Sequence, residues 1–305
     1  MPAPTKVPKS SGTVLKSRYF LRILQAIWNI NCRMKRPLAL VVLALLLEAG
    51  SFAQELPVGT MLPVQLNTTL RAEKLKAGDR VSGKLAQYVD VNGIRLPRGT
   101  EVTGKVVQAA GISGSSPARL ALVFDGVRIQ GRDVPITTSL RALASMQAVY
   151  EAELPTNDIT DFGSTIRDWN TTQIGGQAVY RGDGKVMDGA DVVGRATMVG
   201  EVFGTPKTWP WSACMRDRAS NTIQSFWVFS TDACGVYGLE GLKLAHAGRT
   251  EPVGQIMLEA PRKLEIRGGS GWLLVVVGEK VPAGSASKNS HEAGVSDSIE
   301  AQVQP

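Results

Sequence analysis

Across residues 56–143 the chain alternates short runs of Val, Leu and Thr with Gly, Asp and Asn, a pattern of strands punctuated by turns. Two LP-x-GT segments, Pro57-Val58-Gly59-Thr60 and Pro97-Arg98-Gly99-Thr100, each feed an alternating strand. Proline presets φ at such a turn and glycine takes the positive φ that follows. The first strand sets Met61, Pro63 and Gln65 against Leu62, Val64 and Leu66; the second sets Glu101, Thr103 and Lys105 against Val102, Gly104 and Val106. Asp90-Val91-Asn92-Gly93 predicts a hairpin turn. After a loose GISGSSP loop, ARLALVFDGVRIQGRDVPI places Leu120, Leu122 and Phe124 on a core face, with Arg119, Ala121 and Val123 opposite. About five to seven short strands at this spacing predict a small β-barrel or sandwich. They leave no room for the helical crossovers of a doubly wound parallel sheet.

Beyond this block the texture changes. TSLRALASM, residues 138–146, predicts a short helix. Residues 147–246 carry many Gly, Thr and Asp, together with Trp169, Trp209, Trp211, Cys214, Trp227 and Cys234. Within them, residues 225–229 read as a strand, with Phe226 and Val228 on one face and Trp227 and Phe229 on the other. From Thr250 the strand pattern returns in VGQIMLEA, KLEIRGG and GWLLVVVG. The expected fold is therefore mainly β. A barrel- or sandwich-like domain takes residues 56–143 plus 250–281, a large lobe stapled by a disulfide is inserted at 147–246, and a small polar tail at 282–305 is expected to be disordered.

The N-terminal pattern differs again. Lys35 and Arg36 follow Met34 and precede eleven apolar residues, 37–47, with a small-residue Ser51-Phe52-Ala53 site beyond. This predicts a secretory signal over residues 34–53, too short to span a bilayer comfortably, with Gln54 as the first mature residue. Residues 1–33 read as start-site surplus or a basic leader, because a signal belongs at the true N-terminus. Read instead as a helix, KSRYFLRILQAIWNINCR would be basic and amphipathic, suited to a membrane surface.

This segment changes the charge balance. The chain has 34 Lys plus Arg and 27 Asp plus Glu, a net charge of +7. Eight of those bases and one acid, Glu48, lie in residues 1–53, so 26 of each remain from Gln54 onward. A neutral mature chain removes the electrostatic case for a nucleic-acid partner, and no stable transmembrane segment is expected after cleavage. Cys32 precedes the signal. Cys214 and Cys234 remain, and in an oxidising compartment they are expected to form a disulfide. The destination is the periplasm, the outer cell surface or the medium.

Catalytic constellations are sparse. The histidines are His246, which follows a strand and reads as a packing residue, and His291 in the tail. No nucleophile elbow, Walker loop or dinucleotide loop occurs. Asp183, Asp188 and Asp191 offer oxygen donors at the short spacing calcium uses. Their spacing departs from the helix-loop-helix site and Lys185 brings a positive charge among them, so turns account for them better; no other cofactor is expected. Glu151 with Glu153, and Asp158 with Asp161, supply acids for polysaccharide hydrolysis without a geometry. The strongest surface candidates are Trp209, Trp211 and Trp227, since exposed indoles stack on sugars or anchor a protein partner.

The block at 56–143 resembles the C-terminal β-barrel domain of TrbI-like proteins of conjugation and type IV secretion machinery. The resemblance rests on Gly59-Thr60, on Gly78-Asp79 with Val81 and Gly83, on Leu96-Pro97 with Gly99-Thr100, and on Arg119-Leu120 with Leu122 and Phe124. Residues 250–277 fit more loosely. The whole chain also resembles secreted proteins of soil bacteria such as the Acidobacteria. The TrbI-like resemblance implies a barrel, an inner-membrane anchor, a Pro-rich periplasmic stretch, an inserted pair of apolar helices and a homo-oligomer. This chain departs from it with a cleavable-looking signal, no Pro-rich stretch and a Trp/Cys lobe. The expected function is a non-enzymatic secreted or envelope module that binds a protein or a cell-envelope glycan. The competing reading is a secreted polysaccharide or cell-wall hydrolase using carboxylates.

Overall fold

Two turns of the same make launch the early strands. Gly59 and Gly99 each take φ near +88°. In each turn the following threonine donates both its backbone N–H (3.1 Å) and its hydroxyl (2.7 Å) to the proline carbonyl, Thr60 to Pro57 and Thr100 to Pro97. The computed structural model describes residues 55–278 except 92, 157–168, 211 and 218, so the expected signal and leader (residues 1–53), the tail at 282–305, Trp211, Asp158 and Asp161 lie outside the described residues.

The first strands are β1 (Met61–Leu66), β2 (Leu70–Arg71), β3 (Arg80–Leu85), β4 (Val89–Val91), β5 (Ile94–Leu96), β6 (Glu101–Ala110), β7 (Ala118–Ile129), β8 (Arg132–Pro135) and β9 (Thr138–Ala144). Helix α1 (Met146–Glu153) follows, the one helix among the described residues. The lobe holds β10 (Asn170–Thr172), β11 (Ala178–Tyr180), β12 (Lys185–Asp188), β13 (Asp191–Ala196), β14 (Val202–Gly204) and β15 (Gln224–Ser225). The chain ends its described course in β16 (Gly235–Tyr237), β17 (Lys243–Ala247), β18 (Ile256–Ala260), β19 (Glu265–Ile266) and β20 (Gly271–Val276).

The protein is mainly β. One sheet of ten strands runs β16-β9-β20-β1-β3-β6-β7-β18-β17, with β8 attached to β7; it is antiparallel except where β16 pairs parallel with β9. The lobe strands β10 to β15 form a second, six-stranded antiparallel meander in chain order. The large sheet is not closed into a barrel. Its end strands β16 and β17 approach each other without a hydrogen-bonded ladder. The turn after β17 bridges to β9 instead, where Arg249 donates to the Leu140 carbonyl at 2.7 Å. Strand β16 and all but the last residue of β17 fall in residues 147–246 yet belong to the large sheet, so the chain rejoins it at Gly235.

Two cores explain the arrangement. The inner core gathers Leu62, Val64, Val81, Leu120, Leu122, Phe124, Leu140, Trp272 and Leu274 inside the curled sheet. The opposite faces of β1, β9 and β20 carry Met61, Ala142, Ala144, Leu273 and Val275, which pack against Val179, Val186, Val202, Phe226 and Phe229 of the lobe. Every residue of β9 and β20 is therefore buried. Burial on both faces turns an alternating pattern into a continuous one.

That double burial corrects two sequence expectations. Residues 138–144 form a central strand between β20 and β16, and the helix begins only at Met146, where the Ser145 side chain caps it by accepting from the Ala148 N–H. Strand pairing overrides the helical propensity of Leu, Arg and Ala. Residues 226–229, expected to continue a strand, instead turn back, with the Phe229 N–H bonded to the Phe226 carbonyl. Trp227 takes φ of 56° in that turn, uncommon for a bulky residue. In that turn Phe226, Trp227, Val228 and Phe229 are all buried.

Close backbone approach makes Gly104 the tightest glycine of the large sheet. A Cβ on Gly104 would lie 2.1 Å from the Val123 carbonyl oxygen, at the bulge where β6 crosses β7. Backbone cannot yield as a flexible side chain does, so Gly104→Ala is expected to lower unfolding free energy by at least about 2 kcal/mol. Urea unfolding followed by tryptophan fluorescence measures it, and a loss under about 0.5 kcal/mol would contradict this account.

Candidate functional site

A cleft of about 270 Å³ opens where the lobe meets the loops of the large sheet. Alternation along the first lobe strand supplies one wall: Trp169, Thr171 and Gln173 fall on the same face and all line the cleft. Val179 and Arg181 come from β11 and its end, Glu153 from the end of α1, Met198 to Val202 from the β13–β14 turn, and Trp227 and Val228 from the 226–229 turn. Ala86, Gln87 and Arg98 complete it from the large-sheet side.

Buried side-chain amides build this region. Gln87 pairs with both the N–H and the carbonyl of Val202, each at 2.9 Å, as a neighbouring strand would. The Gln224 carbonyl accepts from the Met61 N–H at 3.0 Å, and the Ser225 hydroxyl donates to the Tyr88 carbonyl at 2.9 Å. Gln173 donates its Nε2 to the carbonyls of Trp227 and Phe229, which fixes the turn carrying Trp227. These bonds hold the cleft walls to both sheets.

The polar lining is charged but balanced, with Glu153 and Glu201 against Arg98 and Arg181. Glu153 accepts from the Trp227 indole N–H at 3.1 Å, and Glu201 accepts from the Thr197 hydroxyl at 3.3 Å. Arg181 donates to the Thr197 carbonyl (3.3 Å) and the Thr171 hydroxyl (3.2 Å). Burial pushes its guanidinium below the ordinary arginine range, and the neighbouring Glu153 acts the other way. Two polar atoms of the lining are buried without a partner among the described residues: the Trp169 indole Nε1 and the Gln173 Oε1.

The structure distributes the sequence candidates unevenly. Trp227 is only 5 % exposed and lines the cleft, whereas Trp209 is 44 % exposed and does not line it. Cys214 and Cys234 form the expected disulfide, with Cα atoms 5.9 Å apart. Asp188 and Asp191 face each other across the β12–β13 hairpin, but Asp183 sits at the far end of β12. Asp188 pairs with Lys207 at 3.3 Å, and the described residues contain no group of three or more His, Cys, Asp or Glu able to hold a metal ion. His246 packs its ring into the 246–255 turn, with Nδ1 2.7 Å from the Gln255 carbonyl and Nε2 3.2 Å from the Thr250 hydroxyl. Glu151 is bonded to Gln147 on the exposed helix face; the second carboxylate in the cleft beside Glu153 is Glu201 instead. Trp169, Gln173, Arg181 and Glu201 are among the lining residues not foreseen from motifs. The available signal was the alternation Trp169-x-Thr171-x-Gln173, an unusually polar strand face.

The chain matches no family model, no curated protein and no solved structure.

Proposed function

We propose that this protein is a non-enzymatic, exported binding module of the cell envelope, and that its ligand is a glycan held in the cleft. The observation that carries this reading is the cleft lining itself. Two indoles, Trp169 and Trp227, share it with amide, hydroxyl and guanidinium groups in a balanced charge field. Indoles pack against the apolar faces of sugar rings, while amides and hydroxyls meet their hydroxyl groups. The Cys214–Cys234 disulfide supports an oxidising destination. Among the described residues, no helix is long and apolar enough to cross a membrane. The TrbI-like strand and turn pattern supports an envelope setting, although a shared fold pattern does not transfer a secretion role.

Glu153 and Glu201 in one cleft favour a second reading, a polysaccharide hydrolase. Both carboxylates are held by neighbours, Glu153 by Trp227 and Glu201 by Thr197, which suits wall-building better than proton transfer. One experiment separates the readings. The purified protein is incubated with cell-envelope polysaccharide, and both retention and released fragments are measured. The expected result is retention without release, weakened at least tenfold in Trp169→Ala. Fragment release abolished by Glu201→Gln would establish the hydrolase.

A further inference from the structure

Resting on the reading of the cleft as a glycan site, we infer that it selects an N-acetylated amino sugar and recognises the acetamido group. The starting point is the unpaired donor and acceptor. Gln173 spends its Nε2 on two main-chain carbonyls, which fixes the orientation of its amide and leaves Oε1 as a buried acceptor. Gln173 as a whole is 4 % exposed. Trp169 Nε1 is a buried donor with no partner. A buried polar atom left unpaired is costly, so a ligand that pairs both gains more than an ordinary surface contact would give.

The pairing of one donor with one acceptor narrows the chemistry. Trp169 and Gln173 stand four residues apart along one extended segment, with side chains on one face of it. A hydroxyl offers its donor and acceptor at a single atom and draws its partners close together. A trans secondary amide is planar and points its N–H and C=O in opposite directions, so it spans partners set further apart. The acetamido N–H then meets Gln173 Oε1 and its carbonyl meets the Trp169 indole N–H.

The methyl group and the charge balance agree. Ala86, Ala152, Val179 and Val202 are buried apolar residues of the lining, able to surround one methyl. The two acids and two arginines offset each other, so a neutral ligand meets no net opposing charge. At about 270 Å³ the cleft is just below the range of roughly 300–1,000 Å³ typical of drug-sized sites, which limits it to about one sugar ring. Solvent reaches neither unpaired atom as the cleft stands, so binding includes a side-chain adjustment that uncovers them.

The test uses the purified protein with N-acetylglucosamine, N-acetylgalactosamine, glucose and galactose, measured by calorimetry, alongside retention on envelope polysaccharide. At least one acetylated sugar is expected to bind tenfold or more tightly than its parent hexose. In Trp169→Phe, which keeps one aromatic ring and removes the unpaired N–H together with the rest of the second ring, that preference should fall below threefold while affinity for the parent hexose changes less than twofold. The indole N–H resonance lost in this variant should shift when the acetylated sugar is added to the native protein. Equal affinity for acetylated and parent sugars overturns the inference and leaves the glycan reading standing. So does retention on polysaccharide with no binding of any of the four sugars. A preference untouched by Trp169→Phe also overturns it. Failure of both retention and sugar binding removes the glycan reading itself.

Discussion

Asp217→Asn is expected to lower the unfolding free energy by about 3–5 kcal/mol, more than a surface substitution would. The Arg141 and Asp217 side chains are fully buried, and Arg249 is 10 % exposed. Asp217 Oδ2 lies 3.2 Å from Arg141 Nη1 and 3.8 Å from Arg249 Nη2, so one carboxylate serves two buried guanidiniums. Arg141 also donates to the carbonyls of Lys207 and Thr231, and Arg249 to that of Leu140. The triad thus ties the loop after β14 to strand β9. Burial pushes both arginines below their ordinary range, while Asp217 draws them back up. Removing its charge leaves two desolvated guanidiniums without their shared carboxylate, held only by main-chain carbonyls and, for Arg141, the more distant Asp232. The counter-test is the apolar triple variant Arg141→Met, Asp217→Leu, Arg249→Met. Arg141 Nε, Asp217 Oδ1 and Arg249 Nε have no partner, so the triad is not an optimal network. The triple variant is therefore expected to recover most of the loss. Denaturant unfolding of both variants measures this, and a single-variant loss under about 1 kcal/mol would refute the account.

The sequence made local chemistry legible and left tertiary context hidden. The LP-x-GT turns could be read because proline, glycine and threonine act on each other within four residues, and Gly59 and Gly99 take the positive φ assigned to them. Leu120, Leu122 and Phe124 could be read because β7 buries that face in the inner core. Cys214 and Cys234 could be paired by counting alone. Residues 138–144 could not, because Leu140, Ala142 and Leu143 suit a helix equally well until strands flank them on both sides. A fully buried arginine at position 141 was beyond reach for the same reason: its partner Asp217 is 76 residues away. The cleft was illegible as a motif because its lining comes from seven separate segments. Of the proposed aromatic residues that are described, Trp227 lines the cleft and Trp209 does not, while Trp169 was passed over because its neighbours carry no recognisable signature.

Loss of the disulfide in the double variant Cys214→Ser, Cys234→Ser is expected to cost about 3 kcal/mol, the chain-entropy value for closing a loop of about twenty residues. For a chain of this size that corresponds to a fall in melting temperature of roughly 6–12 °C, at about 2–4 °C per kcal/mol. Serine is the cleaner probe than a reductant, because Cys214 is fully buried and a thiol reagent would first have to open the loop. The effect should not add simply to that of Asp217→Asn. Arg249 donates to Cys214 Sγ at 3.1 Å and also faces Asp217, so the bond and the triad hold the same loop. Once either is lost, that loop is already loosened, and the second change removes less. A double-mutant cycle should therefore show a combined loss smaller than the sum by at least about 0.5 kcal/mol. Strict additivity would mean that the disulfide and the triad act on different parts of the fold. The cleft gives the opposite expectation. Neither cysteine lines it, and its walls are held by Gln87, Gln173 and Gln224. Retention on envelope polysaccharide at 25 °C should stay within twofold of the native protein in the serine variant. A tenfold loss in a variant still folded by circular dichroism would show that the disulfide shapes the cleft directly.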